Sequence, residues 1–175
     1  MGQSIIADRG VMGEHSRKPY HYTECGLDNV FLLNGFVIER MDDEDYVSVE
    51  KIDDLWKSIG LDLVTHQKFF APKELRFLRG LMDLTQLELA RLLRVEDQTV
   101  ARWEKGKVRL PGTADIAIRA LFLASPVAQP EGNAVLSHWL TTVRGLAETD
   151  APRADTMVFA RNAGGWEPQA MALAA

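Results

Sequence analysis

The sequence holds a single cysteine, Cys25, in 175 residues. An internal disulfide framework is thereby excluded, and a reducing, cytoplasmic setting is expected. Long apolar runs are missing as well. None approaches the roughly 20 residues that a membrane-spanning helix needs, and no charged-then-apolar leader opens the chain, so no membrane partner is expected. Histidine is sparse and scattered, at His15, His21, His66 and His138. The phosphate-cradling G-x-x-x-x-G-K-[ST], the G-x-S-x-G nucleophile turn and the H-E-x-x-H zinc helix are all lacking. Cys25 and His21 are the one pair that can be drawn as nucleophile and base, and they lie on a strand-prone stretch without a third group to orient the base. The acidic run Asp42 to Asp45 lacks the glycine and terminal Glu of a calcium loop and reads as a solvated turn. These absences point away from an enzyme and imply no cofactor and no metal. No internal repeat or low-complexity tract occurs.

What is present is an uneven distribution of charge. The net charge of −5 argues against a nucleic-acid partner until it is divided. Lys68 to Arg109 carries ten Lys/Arg against six Asp/Glu, a net of +4, which leaves −9 for the remainder. Phosphate responds to a basic patch rather than to the total.

The same stretch has the strongest local signals. In LTQLELARLLRVEDQTVARWEKGK, Leu84 to Lys107, Thr85 and Glu88 form a capping box that starts a helix at Gln86. Leu89, Ala90 and Leu93 fall at helical spacing on its buried face. Ala90 is small enough to let a crossing helix approach. Arg94-Val95-Glu96 makes a turn with Val95 as its apolar plug. A second helix is expected from about Asp97 to Lys105, with Val100 and Trp103 inward and Gly106 ending it. Two short helices joined by a turn of three or four residues fit the DNA-binding helix-turn-helix. The outward face of the second helix carries Asp97, Gln98, Thr99 and Arg102. Gln98 and Arg102 stand four apart and share a face; Gln can pair with adenine and Arg with guanine. Lys105, Lys107 and Arg109 suit phosphate contacts.

This stretch resembles the helix-turn-helix of the phage-repressor-like (XRE/Cro) family at Gln86, Ala90, Val95, Val100, Trp103 and Glu104. The resemblance implies a phosphate contact for Gln86, base-reading positions for Asp97, Gln98 and Arg102, and an ion pair between Arg79 and Glu104 that ties the preceding helix to the recognition helix. Two residues depart from the pattern. Arg94 stands where the family often has Gly, at a strain of about 1–2 kcal/mol if its backbone is left-handed. Glu96 stands where Ser or Thr is usual. Asp97 suits the helix N-terminus or, alternatively, a cytosine amine.

Four segments are expected. Residues 1–19 read as a flexible arm. Residues 20–66 form a small α+β module: Val30 to Leu33 as a strand, Asn34-Gly35 as a hairpin turn with positive φ at both residues, Phe36 to Arg40 as the return, Asp42 to Asp45 as a second turn and Tyr46 to Val49 as a third strand. A helix from Ile52 to Val64 follows, with Ile52, Leu55, Trp56, Ile59 and Leu63 on its apolar side and Gly60 weakening it. Residues 67–125 form the helix-turn-helix domain, with a supporting helix after Ala71-Pro72 and a helix over Ala114 to Ala124, capped by Thr113, that is apolar nearly all round. Residues 126–175 are read as a C-terminal extension: a linker to Asn133, a helix over Ala134 to Ala147, a possible strand over Thr156 to Ala160, a turn at Gly164-Gly165 and a frayed end at Met171 to Ala175.

The pattern H-Y-T-E-C-G-L-D-N-V-x-L-x-N-G, followed by an acidic hairpin, a helix and the helix-turn-helix, is similar to bacterial regulators related to the MqsA-type antitoxins. That group can carry a zinc finger with paired cysteines. Here only Cys25 is present, so no zinc site is expected.

The expected fold is mainly α within an α+β chain: a phage-repressor-like helix-turn-helix bundle with a small N-terminal β-meander plus helix. The expected function is sequence-specific binding of double-stranded DNA by a transcriptional regulator, a repressor acting as a homodimer. The alternative is an antitoxin whose main role is to bind and neutralise a protein toxin.

Overall fold

The computed structural model describes residues 18–41, 44–148 and 156–170. Outside these residues lie nearly all of the expected arm with His15, the middle of the acidic turn, and the expected frayed end. The protein has an α+β helix-turn-helix fold. Among the described residues, no helix is long and apolar enough to cross a membrane.

Strands β1 (Tyr20–His21) and β2 (Val30–Leu32) open the chain. β2 buries Val30 and Leu32 fully and Phe31 by half, the pattern of an interior strand. A separate two-stranded ribbon follows, β3 (Phe36–Met41) paired antiparallel with β4 (Glu44–Val49). The Asn34-Gly35 signal therefore does not close a hairpin between β2 and β3. Of the two residues only Gly35 takes positive φ, +74°, whereas the expected hairpin turn needs both. The Asn34 amide is used elsewhere: it donates to the Arg161 carbonyl at 3.1 Å and accepts from the Arg161 N–H at 2.6 Å. β2 is thereby tied to a strand 127 residues away in sequence.

That strand is β5 (Met157–Asn162), which with β6 (Gly165–Pro168) makes the C-terminal hairpin. The sheet order is β1-β2-β5-β6, with β2 and β5 parallel and the other pairs antiparallel. Met157, Val158, Phe159 and Trp166 are buried. Trp166 donates its indole N–H to the Glu50 carbonyl at 2.9 Å, and its own carbonyl accepts from the Ser58 hydroxyl at 2.7 Å.

Helix α1 (Ile52–His66) lies against β6 and buries Leu55, Ile59, Leu63 and Val64. Ile52, expected on the apolar side, is exposed, and Trp56 is half-buried with its indole N–H on the Tyr22 hydroxyl at 2.9 Å. Gly60 costs helix propensity, and packing explains its presence: a Cβ there would stand 2.4 Å from Cζ of Phe122. Phe122 belongs to α5 (Gly112–Ala124), which crosses α1 at this point. The N-cap of α5 is Pro111, which places Thr113 inside the first turn rather than at the cap.

The α5 helix is not apolar all round. It buries an ion pair, Asp115–Arg119, at 2.5 Å. Arg119 also donates to the carbonyls of Leu63 and Val64 at 3.3 and 2.8 Å, and to those of Gln67 and Lys68 at 2.8 and 3.4 Å. A guanidinium has five N–H donors in a planar fork, and here it closes the C-terminal end of α1, where carbonyls lack helical partners. Phe70 covers its face at 4.2 Å.

The expected linker is ordered into a 3₁₀ turn (Pro126–Ala128), and the expected single helix is broken at His138 into α6 (Glu131–Ser137) and α7 (Trp139–Glu148). α7 packs against α1 and α6, and none of its residues is fully buried. One contiguous core links Tyr22, Val30 and Leu32 of the first strands to Leu75, Leu78 and Trp103 of the helix-turn-helix and to Phe159 and Trp166 of the last two strands.

Candidate nucleic-acid interface

Three short helices build the site: α2 (Pro72–Leu81), α3 (Gln86–Leu93) and α4 (Thr99–Glu104). Pro72 begins α2, where its missing N–H costs nothing, and the Glu74 carboxylate accepts from the Ala71 N–H at 2.7 Å. α3 begins with the Thr85 capping box: Thr85 Oγ1 accepts from the Glu88 N–H at 3.1 Å, and Glu88 Oε2 accepts from the Thr85 N–H at 2.7 Å. The bonds from the Thr85 side chain and backbone hold the Glu88 carboxyl below its ordinary range. Leu89 and Ala90 are fully buried, and α3 meets α4 over this face.

Arg94 ends α3 in the left-handed region, φ 56° and ψ 42°. The strain foreseen for a non-glycine residue is therefore present. The turn is held by the Val95 N–H, which returns to the Ala90 carbonyl at 3.0 Å, and by the Thr99 N–H, which donates to Glu96 at 2.8 Å. α4 is shorter than the expected span from Asp97 to Lys105: its N-cap is Gln98 and its C-cap is Lys105. Val100 and Trp103 are buried against the other helices.

The end of α4 is a Schellman motif. Gly106, at φ +65°, donates its N–H to the Trp103 carbonyl at 3.0 Å, and the Lys107 N–H reaches the Arg102 carbonyl at 2.9 Å. The two bonds turn the chain back beside the helix.

Glu104 fixes α4 from the inside. Its carboxylate has no solvent exposure. Arg79 donates to it twice, Nε to Oε1 at 2.6 Å and an Nη to Oε2 at 3.1 Å, a two-pronged pairing. Gln86 Nε2 donates to Oε2 at 2.7 Å, and Arg76 Nε stands 3.6 Å away. Arg79 further donates to the Leu84 carbonyl at 2.7 Å. Burial alone pushes the Glu104 carboxyl up. The hydrogen bonds from Arg79 and Gln86, with the charges of Arg79 and Arg76, outweigh it, and the group ends below its ordinary range. α2, α3 and α4 are thus joined at one carboxylate.

The remaining residues named from the sequence divide into two groups. Gln98, Arg102, Lys105 and Lys107 line one solvent-facing concavity of about 490 Å³, together with Ala101 and Val108. Asp97 is exposed in the turn before α4, and Thr99 is half-covered at its first position. Two residues expected on phosphate have protein partners: Gln86 is bonded to Glu104, and the Arg109 guanidinium lies 4.9 Å from the centre of the Phe69 ring. Ala101 and Val108 were not singled out in the sequence, whereas Arg76, read there with Arg79 as outward or paired, stands beside the Glu104 carboxylate. Arg76 stands three residues before Arg79 on the same helix, a spacing that puts the two on one face. Val108, an apolar residue between two cations, gave no periodic signal.

Cys25 and His21, weighed above as a catalytic pair, are occupied separately. Cys25 Sγ faces the Tyr22 carbonyl at 3.8 Å, and burial pushes its thiol up, away from the reactive thiolate. His21 stacks on Phe31 at 4.6 Å and has Nε2 2.7 Å from the Asp28 carbonyl.

Residues 75–117, about a quarter of the chain, match the family model described as Helix-turn-helix. Neither the curated proteins nor the solved structures gave a match. The matched span covers most of α2, all of α3 and α4, the Glu104 brace and the start of α5. The chain thus carries, within residues 75–117, an XRE-type helix-turn-helix of the kind that binds DNA and regulates transcription.

Proposed function

We propose that this protein is a cytoplasmic transcriptional repressor that binds a specific duplex DNA sequence as a homodimer. The observation that carries the reading is the solvent face of α4: Gln98 and Arg102 stand one turn apart beside Lys105 and Lys107 on a helix locked from within by Glu104. Gln98 and Arg102 would read base edges, each worth about 1–3 kcal/mol of discrimination. Asp97 and Thr99 would lie at the entry of the helix into the groove, and Lys105 and Lys107 would take phosphates. Gln86 and Arg109 fit a supporting role, given their protein partners. Ile116 on α5 and Leu140 on α7 are exposed apolar side chains, which favours a second subunit on that side. Repression by covering a promoter is the simplest mechanism for such a dimer.

A second reading, the antitoxin relationship, draws on the β3–β4 ribbon. Val37, Ile38, Met41 and Tyr46 are exposed there beside Glu39, Glu44 and Asp45, a surface suited to a basic protein partner.

Selection from random duplexes tests the first reading. A two-fold symmetric site with half-sites about 34 Å apart, or a multiple, is expected. Enrichment of one unpaired half-site by a monomer would remove the homodimer, and no enrichment would remove sequence-specific binding. Co-purification of a small basic protein, abolished by Ile38→Asp, would favour the second reading.

A further inference from the structure

Val108 is out of character for its position. It follows the Schellman turn, in the run Lys105-Gly106-Lys107-Val108-Arg109, and is 52 % exposed, whereas Leu110, two residues on, packs against the core. A lone exposed valine needs no explanation; its neighbours give this one a context. The bonds from Gly106 to Trp103 and from Lys107 to Arg102 return the chain along α4. Val108 and Ala101 thereby share the concavity of Gln98, Arg102, Lys105 and Lys107. An apolar spot thus shares one concavity with four long polar and cationic side chains, on the face that would meet DNA.

We infer that Val108, with Ala101 beside it, receives the 5-methyl group of a thymine in the major groove and is a specificity-determining residue. The inference rests on the reading that the outer face of α4 lies in that groove. The chemistry is selective. The thymine methyl is the one apolar group that a base pair displays on its major-groove edge, and the corresponding edge of a C·G pair offers none. Gln98 and Arg102 supply hydrogen-bonding groups and cannot detect a methyl. Val108 supplies two methyl groups on a stiff, β-branched side chain, anchored by a turn whose hydrogen bonds are satisfied.

Deoxyuridine tests the contact, because it pairs as thymine does and lacks only the 5-methyl. In a duplex selected by the wild-type protein, thymines are replaced one at a time by deoxyuridine, and Kd is measured for the wild-type protein and for Val108→Ala. One position is expected at which deoxyuridine weakens wild-type binding about four-fold, the worth of burying one methyl-sized group. Val108→Ala is expected to bind the thymine duplex more weakly and to bind the thymine and deoxyuridine duplexes equally at that position. The exposed site predicts an unchanged melting temperature for the variant, so a folding defect would show separately. A selected sequence at which no thymine methyl matters, or a Val108→Ala protein that keeps the wild-type discrimination, would overturn the assignment while leaving the DNA-reading role of α4 intact. Failure of the wild-type protein to enrich any sequence would remove that role and this contact with it.

Discussion

Glu104 shows how one residue sets the geometry of the site. A carboxylate without solvent is costly unless it is fully paired, and here Arg79, Gln86 and Arg76 surround it. Glu104→Gln keeps the shape and removes the charge, leaving Arg79 without its counter-ion. A loss of about 2 kcal/mol is expected in urea denaturation at pH 7. The pH dependence follows from the direction of the shift. The folded carboxyl lies below its ordinary value of 4.5, so its contribution is fully present above about pH 4.5 and is lost as pH falls through the lower, folded value. The difference between wild type and variant should therefore shrink below pH 4.5. A constant difference from pH 7 to pH 3 would show that the charge is not what stabilises. At this scale the sequence was readable where chemistry is local. The Thr85–Glu88 box and the left-handed Arg94 depend on neighbours within four residues. Arg119 was not readable: an Arg four residues after an Asp looks like a surface pair, and its carbonyl partners come from residues more than 50 positions away.

Elements were legible in kind more often than in their bounds or partners. Periodicity placed α1, α3 and α5 because each buries a stripe, and the stripe is written in the sequence. It overextended α4, whose first expected residues form the turn, and it merged α6 with α7, since the break at His138 leaves the apolar spacing nearly in phase. Gly60 shows what periodicity cannot report. In an open helix, Gly→Ala gains up to about 1 kcal/mol, and Gly80, with nothing within 4 Å of an added Cβ, is expected to behave that way. At Gly60 the Cβ meets Phe122 at 2.4 Å, so Gly60→Ala should lose about 1–3 kcal/mol by pushing α5 off α1. Paired urea midpoints for the two variants check this; stabilisation by both would mean that α1 and α5 do not approach so closely.

The whole molecule is closed by a pairing that no local signal announces. β2 and β5 run parallel although more than 120 residues separate them, and the helix-turn-helix lies within the crossover. The Asn34-Gly35 signal misled because Asn34 satisfies its amide on Arg161, on the far strand. The extension read from residue 126 onward therefore supplies two strands to the sheet that Tyr20 begins. We expect the chain to unfold as one unit. Ending it after residue 155 would strip Met157, Val158, Phe159 and Trp166 from the core, at roughly 1.5–3 kcal/mol for each large apolar side chain. Their sum rivals the stability of a whole domain, so the shortened protein should show no cooperative thermal transition. A sharp transition near the wild-type temperature would mean that the helix-turn-helix stands alone.

The central claim is that the exposed face of α4 reads DNA sequence from a scaffold braced by Glu104. Its most direct test is titration of wild type, Arg102→Ala and Lys105→Ala into the selected duplex and a scrambled duplex at two salt concentrations. Wild type should prefer the selected duplex. Arg102→Ala should lose affinity for it by about 10-fold or more with little loss on the scrambled one, and Lys105→Ala should weaken both alike and flatten the salt slope by about one unit. Equal binding of both duplexes by wild type, or equal losses on both for Arg102→Ala, would contradict the claim.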